Sequence, residues 1–211
     1  MDDQSGAEPR EPLGVRVCRL SLDPVRGRLR HPLQVGIAIR AAMFAELILA
    51  GRVIGRAWPQ PVGESDTGDK LPDAVHRAVS GRRPIGWRRW FSHVDADRRA
   101  AIDYLVAAGR WQLDGKRIVD PQAGETVLEQ RELHRTMAAG ELAADVPTML
   151  TWLLVYGAGG AGRPAPRRAW RLAKAWLPTV VPGDRGDALF QSMRAALRAI
   201  RRAAMFRLFS R

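Results

Sequence analysis

Apolar and polar positions alternate at helical spacing over much of the chain, and one stretch breaks the rule. From Gly36 to Ile54 the sequence runs GIAIRAAMFAELILAGRVI, and residues 36–50 are apolar on nearly every face, interrupted only by Arg40 and Glu46. Helical spacing puts Val35, Ile39, Ala42 and Leu49 on one side and Met43, Phe44 and Leu47 on another, which also carries Arg40. A helix that is hydrophobic all round belongs inside a protein or a bilayer. Gly51 stops it in the usual C-terminal position, and Arg52-Val-Ile leaves it as a short strand.

Weaker patterns flank this centre. Val15–Leu22 alternates loosely, as a strand or the end of a short helix, and Asp23-Pro24 with Gly27 forms a turn. Residues 56–70 are a polar loop, and Leu71–Val79 an amphipathic helix. Asp97 reads as the N-cap of a helix over Arg98–Ala108 that Gly109 ends. Asp114-Gly115 between two alternating runs predicts a hairpin turn. Val127–Met137, Asp145–Tyr156 and Arg167–Trp176 follow as helices, with a Gly/Pro-rich joint before the last. Asp184–Asp187 reads as a turn before a long helix over Ala188–Phe209. The fold class is mainly α: a single globular helical domain with a β-hairpin and short peripheral strands. Residues 1–13, acidic and polar with two prolines, predict a disordered lead-in. The domain is expected over 14–205, with a basic and aromatic tail over 206–211.

Charge changes this picture. The formal net charge is +12, so an acidic partner is implied: nucleic acid, an anionic membrane or a phosphorylated ligand. Arginine, which suits bidentate phosphate contacts, supplies nearly all of it; only Lys70, Lys116 and Lys174 are lysines. Between Arg163 and Arg211 basic residues outnumber acids twelve to two. On the final helix Phe190, Met193, Leu197, Ile200, Ala204 and Leu208 form one stripe, flanked by Arg194, Arg198, Arg201 and Arg202. That pattern fits either a core-docked helix with a solvated basic edge or an interfacial helix. The second applies best to the last turn, where Phe206 and Phe209 leave the stripe.

Catalytic chemistry is hard to place. Cys18 is the only cysteine, which excludes an intrachain disulfide and a cysteine-based zinc site. Gly157, Gly159 and Gly162 satisfy GxGxxG, yet Arg-Pro-Ala-Pro follows where a dinucleotide site needs a helix, so a joint is the better reading. His93, Asp95 and Asp97 could be drawn as metal ligands, and are better explained as a polar loop and a cap. No serine or cysteine stands in a nucleophile context. The sequence therefore predicts a protein that is not an enzyme and needs no cofactor or metal. The N-terminus lacks the form of a signal peptide, and no run of about 18 uncharged apolar residues argues for a transmembrane helix. A cytoplasmic location is expected. A rival reading takes the helix after Asp97 and its hairpin as a winged-helix-like nucleic-acid-binding unit, with Arg110, Lys116 and Arg117 on phosphates.

The central stretch IRAAMFAELILAGRV resembles the signature of the Golgi phosphoprotein 3 family, as a divergent bacterial-type member. LSLDPVRGRL, Trp90 with the Arg98–Gly109 helix, and DVPTMLTWLLVYGAG resemble the family's other segments in the same order, over about residues 13–205. The resemblance implies a helical domain peripheral on membranes. It implies a basic pocket for a phosphatidylinositol phosphate headgroup, and adaptor work for membrane-protein clients. Residue by residue, Arg40 and Arg98 match arginines of that pocket. His31 stands where the family has a tryptophan, and Asp95 where it has another arginine. The family's hairpin, linked to homo-oligomers, corresponds to Arg110–Val119, with Trp111, Leu113 and Ile118 as its apolar residues.

The expectation is a peripheral protein on the inner face of a membrane. Anionic lipid headgroups would meet Arg40, Arg98 and His31, and the membrane would meet Arg194, Arg198, Arg201, Arg202, Phe206 and Phe209. Arg40 keeps two readings, a phosphate ligand or a buried salt bridge to Glu46 or another acid.

Overall fold

The structure is a computed structural model that describes residues 11–64, 67–92, 94–141, 145–160 and 162–209, with side chains through residue 206. Its helices are α1 (Leu13–Arg19), α2 (Pro32–Leu49), α3 (Lys70–Ser80), α4 (Trp87–Trp90), α5 (Asp95–Ala107), α6 (Ala123–Ala139), α7 (Val146–Ala158), α8 (Pro166–Val180) and α9 (Gly183–Phe209). Among the described residues, three antiparallel two-stranded hairpins join them: β1 (Leu22–Asp23) with β2 (Arg28–Leu29), β3 (Val53–Ile54) with β4 (Gln60–Pro61), and β5 (Gln112–Asp114) with β6 (Arg117–Val119). The fold is mainly α, as its periodicities predict.

Helix α2 is the axle. It packs against α1, α3, α5, α7 and α9, which is why nearly all its faces are apolar. By length and composition alone it could cross a membrane, but 72% of that stretch is buried inside the protein. Each of its fully buried large side chains, such as Phe44 and Leu47, stabilises the fold by about 1.5–3 kcal/mol. Gly51 sits just past the C-cap with φ +72°, a left-handed conformation that a side chain would strain. Gly36 has another reason: a Cβ there would lie 2.8 Å from Val94, so glycine lets the start of α5 settle onto α2.

Several local expectations change. Val15–Leu22 resolves into α1, whose end turns into β1. The residue pair at the tip of the β5–β6 hairpin is Gly115-Lys116, closed by Asp114 opposite Arg117, one position later than expected. Asp184–Asp187 is not a turn but the first turn of α9, where Asp184 favours the helix N-terminus. The tail positions 206–209 continue α9 without a break. Residues 1–10 lie outside the described residues; Glu11, the first described, pairs with Arg19.

The single cysteine is wholly buried on α1. Burial pushes the Cys18 thiol pKa well up from its ordinary value, outweighing the opposing charge of Arg98.

Candidate functional site: a carboxylate-free arginine face

The residues matched to the headgroup pocket come first. Arg40 leaves α2 towards the start of α5, where its Nε donates to Asp97 Oδ2 at 2.5 Å. Its Nη1 donates to the Trp90 carbonyl at 2.9 Å. The two charged side chains are 17% and 13% exposed. Asp97 is thus no N-cap: Val94 holds that position, Asp97 lies inside the first turn, and its carboxylate serves Arg40. Arg98 pairs with Asp95 at 3.1 Å. His31 is the N-cap residue of α2 in a left-handed conformation, φ 46°, with no capping bond from its side chain.

The expected open, basic cavity around Arg40 and Arg98 is therefore replaced by two ion pairs, each closed by a carboxylate of α5. Glu46, the acid considered first for Arg40, instead accepts the Leu13 amide at the start of α1. His93, the remaining member of the metal-ligand set, lies outside the described residues. Among those described, no group of three His, Cys, Asp or Glu side chains could hold a metal ion.

A different cluster stands open to solvent. On α9 the apolar residues Leu189, Met193, Ala196, Leu197, Ile200 and Ala203 point into the core. Helical spacing then places Arg194, Arg198, Arg201 and Arg202 on the outer flank. Facing them is the segment Trp87-Arg-Arg-Trp90. Its aromatics are anchors: Trp87, Trp90 and Phe91 close edgewise around Phe44, with ring centroids 5.2, 5.7 and 6.0 Å away. With the tryptophans turned inward, Arg88 and Arg89 are left exposed between them. The Trp87 indole also donates to the Gly55 carbonyl at 3.3 Å, which fixes Arg56 beside the same face.

Three cavities run along this face. One of 440 Å³ is bounded by Arg56, Arg88, Arg194, Arg198 and Arg202, with Trp87 and Gln191 among its other walls. Next to it lies a groove of 730 Å³, apolar along Leu33, Ile37, Phe91, Ala203 and Phe206 and edged by Arg88, Arg89 and Arg202. On the other side, between α8 and α9, Arg167, Arg194, Arg198 and Arg201 enclose 190 Å³ with Trp170. Among the described residues, no acidic side chain lines any of the three. Among the described residues, none of these eight arginines is held in an ion pair. The electrostatic consequence shows at Arg202, where partial burial and then the like charges of Arg88 and Arg198 lower the guanidinium pKa from its ordinary value.

The face ends in exposed apolar side chains. Phe206 is 79% exposed, and Met205 and Leu33 are each 42% exposed. The side chain of Phe209 lies outside the described residues. Of the positions foreseen for membrane contact, Arg194, Arg198, Arg201, Arg202 and Phe206 all line these cavities. Arg56, Arg88, Arg89 and Arg167 were not foreseen. The alternation in WRRW is the signal that could have found two of them.

The β5–β6 hairpin is less available than its sequence suggests. Trp111 and Ile118 are buried within the protomer, leaving Leu113 and Val119 outward. The hairpin leans on the β1–β2 turn through Ile118 N–H to the Gly27 carbonyl and Arg117 to the Val25 carbonyl. Arg110 pairs with Glu125 at 3.2 Å. Of the wing cations, then, two are engaged internally. The glycine pattern at 157–162 ends α7, with Gly159 as C-cap, and α8 starts only at Pro166.

A family model described as Golgi phosphoprotein 3 (GPP34) matches residues 15–200. Comparison with curated proteins gives no match.

Proposed function

Because the chain belongs to the Golgi phosphoprotein 3 family, we propose that it is a non-enzymatic peripheral protein whose α9 face binds anionic lipid headgroups. On such a membrane it serves as an adaptor for membrane-protein clients. The observation that carries this reading is the arginine face without carboxylates, continuous with an exposed apolar edge. Arginine side chains near an anionic surface contribute about 1 kcal/mol each. Charge supplies the attraction, and Leu33, Met205 and Phe206 supply a component that enters the acyl boundary.

Arg40 and Arg98 take a supporting role in this reading. With Asp97 and Asp95 beside them, a phosphate would have to displace a carboxylate first. The headgroup contacts are therefore assigned to the α9 face, while the Arg40–Asp97 pair holds α5 onto α2 and the Arg98–Asp95 pair lies within the first turn of α5.

Flotation tests the proposal. The full chain should rise with phosphatidylcholine vesicles that contain an anionic lipid and stay behind with phosphatidylcholine alone. Raised salt should weaken the binding yet leave a residual fraction, because ring insertion is not screened. Excess duplex DNA should not displace the protein. If DNA displaces it completely and salt abolishes all binding, the charge serves nucleic acid and the membrane reading fails.

A further inference from the structure

We propose that the small compartment between α8 and α9 is a binding site for a phosphomonoester dianion, distinct from the open grooves beside it. Its positive charge comes from two helices. Arg194, Arg198 and Arg201 follow one another at i, i+4 and i+7, so they line one edge of α9 over about 10 Å. Arg167 opposes them from the first turn of α8, where the helix dipole also favours an anion. Trp170 forms a side wall one turn further along α8, and its ring is steadied by Phe190 at 4.9 Å between centroids. Leu197 closes the apolar floor.

The dimensions choose the ligand class. At 190 Å³ the compartment is smaller than the roughly 300–1,000 Å³ of sites that enclose drug-sized molecules, so it suits one anionic group. A phosphomonoester carries close to two negative charges and three terminal oxygens, which several guanidinium forks can share in bidentate fashion. A phosphodiester offers one charge, two free oxygens and a chain on both sides, a poor match to a small cage. Among the described residues, no carboxylate of the lining competes for these arginines. The alcohol part of the monoester leaves past Trp170 and is either a lipid or a soluble molecule. For the lipid source the inference rests on the membrane reading; for the soluble source it stands alone.

Two double variants separate the possibilities. Arg167→Gln with Arg201→Gln removes charge from this compartment only, and Arg56→Gln with Arg89→Gln removes the same charge from the neighbouring grooves only. Circular dichroism melts check that both fold. Titration calorimetry with glycerol 3-phosphate at constant ionic strength should show at least about a tenfold loss of affinity in the first variant and no more than about a twofold change in the second. Affinity in the parent should fall as pH drops through about 6, where the second phosphate proton returns.

Vesicle binding then identifies the source. Phosphatidic acid presents a monoester and phosphatidylglycerol a diester. A preference for phosphatidic acid that vanishes only in Arg167→Gln/Arg201→Gln supports the compartment with a lipid ligand. Binding of glycerol 3-phosphate that depends on that pair, with no vesicle binding at all, supports the compartment with a soluble ligand and sinks the membrane reading. Equal losses in the two variants overturn the compartment. So do vesicle binding without any monoester preference and no binding of glycerol 3-phosphate; in that case the membrane reading survives.

Discussion

The α2–α5 junction and the α9 face are both rich in arginine, and they use it in opposite ways. At the junction each cation has an acid: Arg40 meets Asp97 and Arg98 meets Asp95. The same holds where α1 meets α6, with Arg16 and Arg19 on Glu129. Along the arginine-lined face of α9 no acid among the described residues lines the cavities, and Arg202 sits among other cations instead. A half-buried charge with its own counterion is a structural fastener, whose loss strands a partner. A row of cations without counterions adds self-repulsion to the folded state and is relieved only from outside. Removing an arginine should thus cost stability in one region and binding in the other.

The largest expected effect is at the junction. Arg40→Ala should lower folding stability by about 3 kcal/mol, since it leaves the Asp97 carboxylate and the Trp90 carbonyl without their donor. Urea unfolding measures it. A loss below about half a kilocalorie per mole, together with impaired vesicle binding, would move Arg40 from fastener to ligand site and erase the distinction.

Next comes Glu129, which gathers two arginines. Burial raises its pKa and the neighbouring Arg19 and Arg16 outweigh that, so the net folded value lies below the ordinary 4.5. A carboxylate depressed in the folded state contributes stability that is complete above the unfolded pKa and disappears as pH falls through the folded one. Glu129→Gln should cost about 1–3 kcal/mol at neutral pH and flatten the acid limb of stability below about pH 4.5. Thermal melts across that range read both effects.

On the other side, Arg198→Gln with Arg202→Gln should change stability by less than about half a kilocalorie per mole while weakening anionic-vesicle binding about tenfold or more, at about 1 kcal/mol per arginine. Destabilisation as large as that of Arg40→Ala would show that the face is fastened in a way its open cations do not reveal. The smallest change belongs to Phe206→Ser. It should leave low-salt binding nearly intact and remove about 1 kcal/mol from the salt-resistant remainder. Flotation at two ionic strengths separates the components.

Much of this was legible in the chain because helix periodicity is local. The all-round apolar pattern of 36–50 gave the buried axle, and the arginine spacing on α9 gave one wall of the face. The partner of Arg40 was not legible. An aspartate just before an apolar-periodic run looks alike whether it caps the helix or sits inside its first turn, and only the packing of α5 on α2 decides. The opposite walls escaped for a related reason: Arg56 and Arg88 meet α9 only after Trp87 and its neighbours dock around Phe44, and Arg167 only once α8 packs against α9. Their separation in sequence hides a shared surface. The inward burial of Trp111 and Ile118 was not legible either, since a hairpin's apolar residues read the same whether they pack inward or await a partner.

The sealed position of Cys18 has a practical consequence. A thiol with no exposed surface and a strongly disfavoured thiolate cannot meet a maleimide or disulfide reagent while α1 stays seated on α2. With no second cysteine in the chain to confuse the signal, the rate of labelling becomes a clock for the opening of that joint. Followed against denaturant, it separates local fraying of the first helix from global unfolding, and needs no engineered probe. An added surface cysteine on α9 would react at once beside it, so one sample could carry both a fast reporter of ligand contact and a slow reporter of the core.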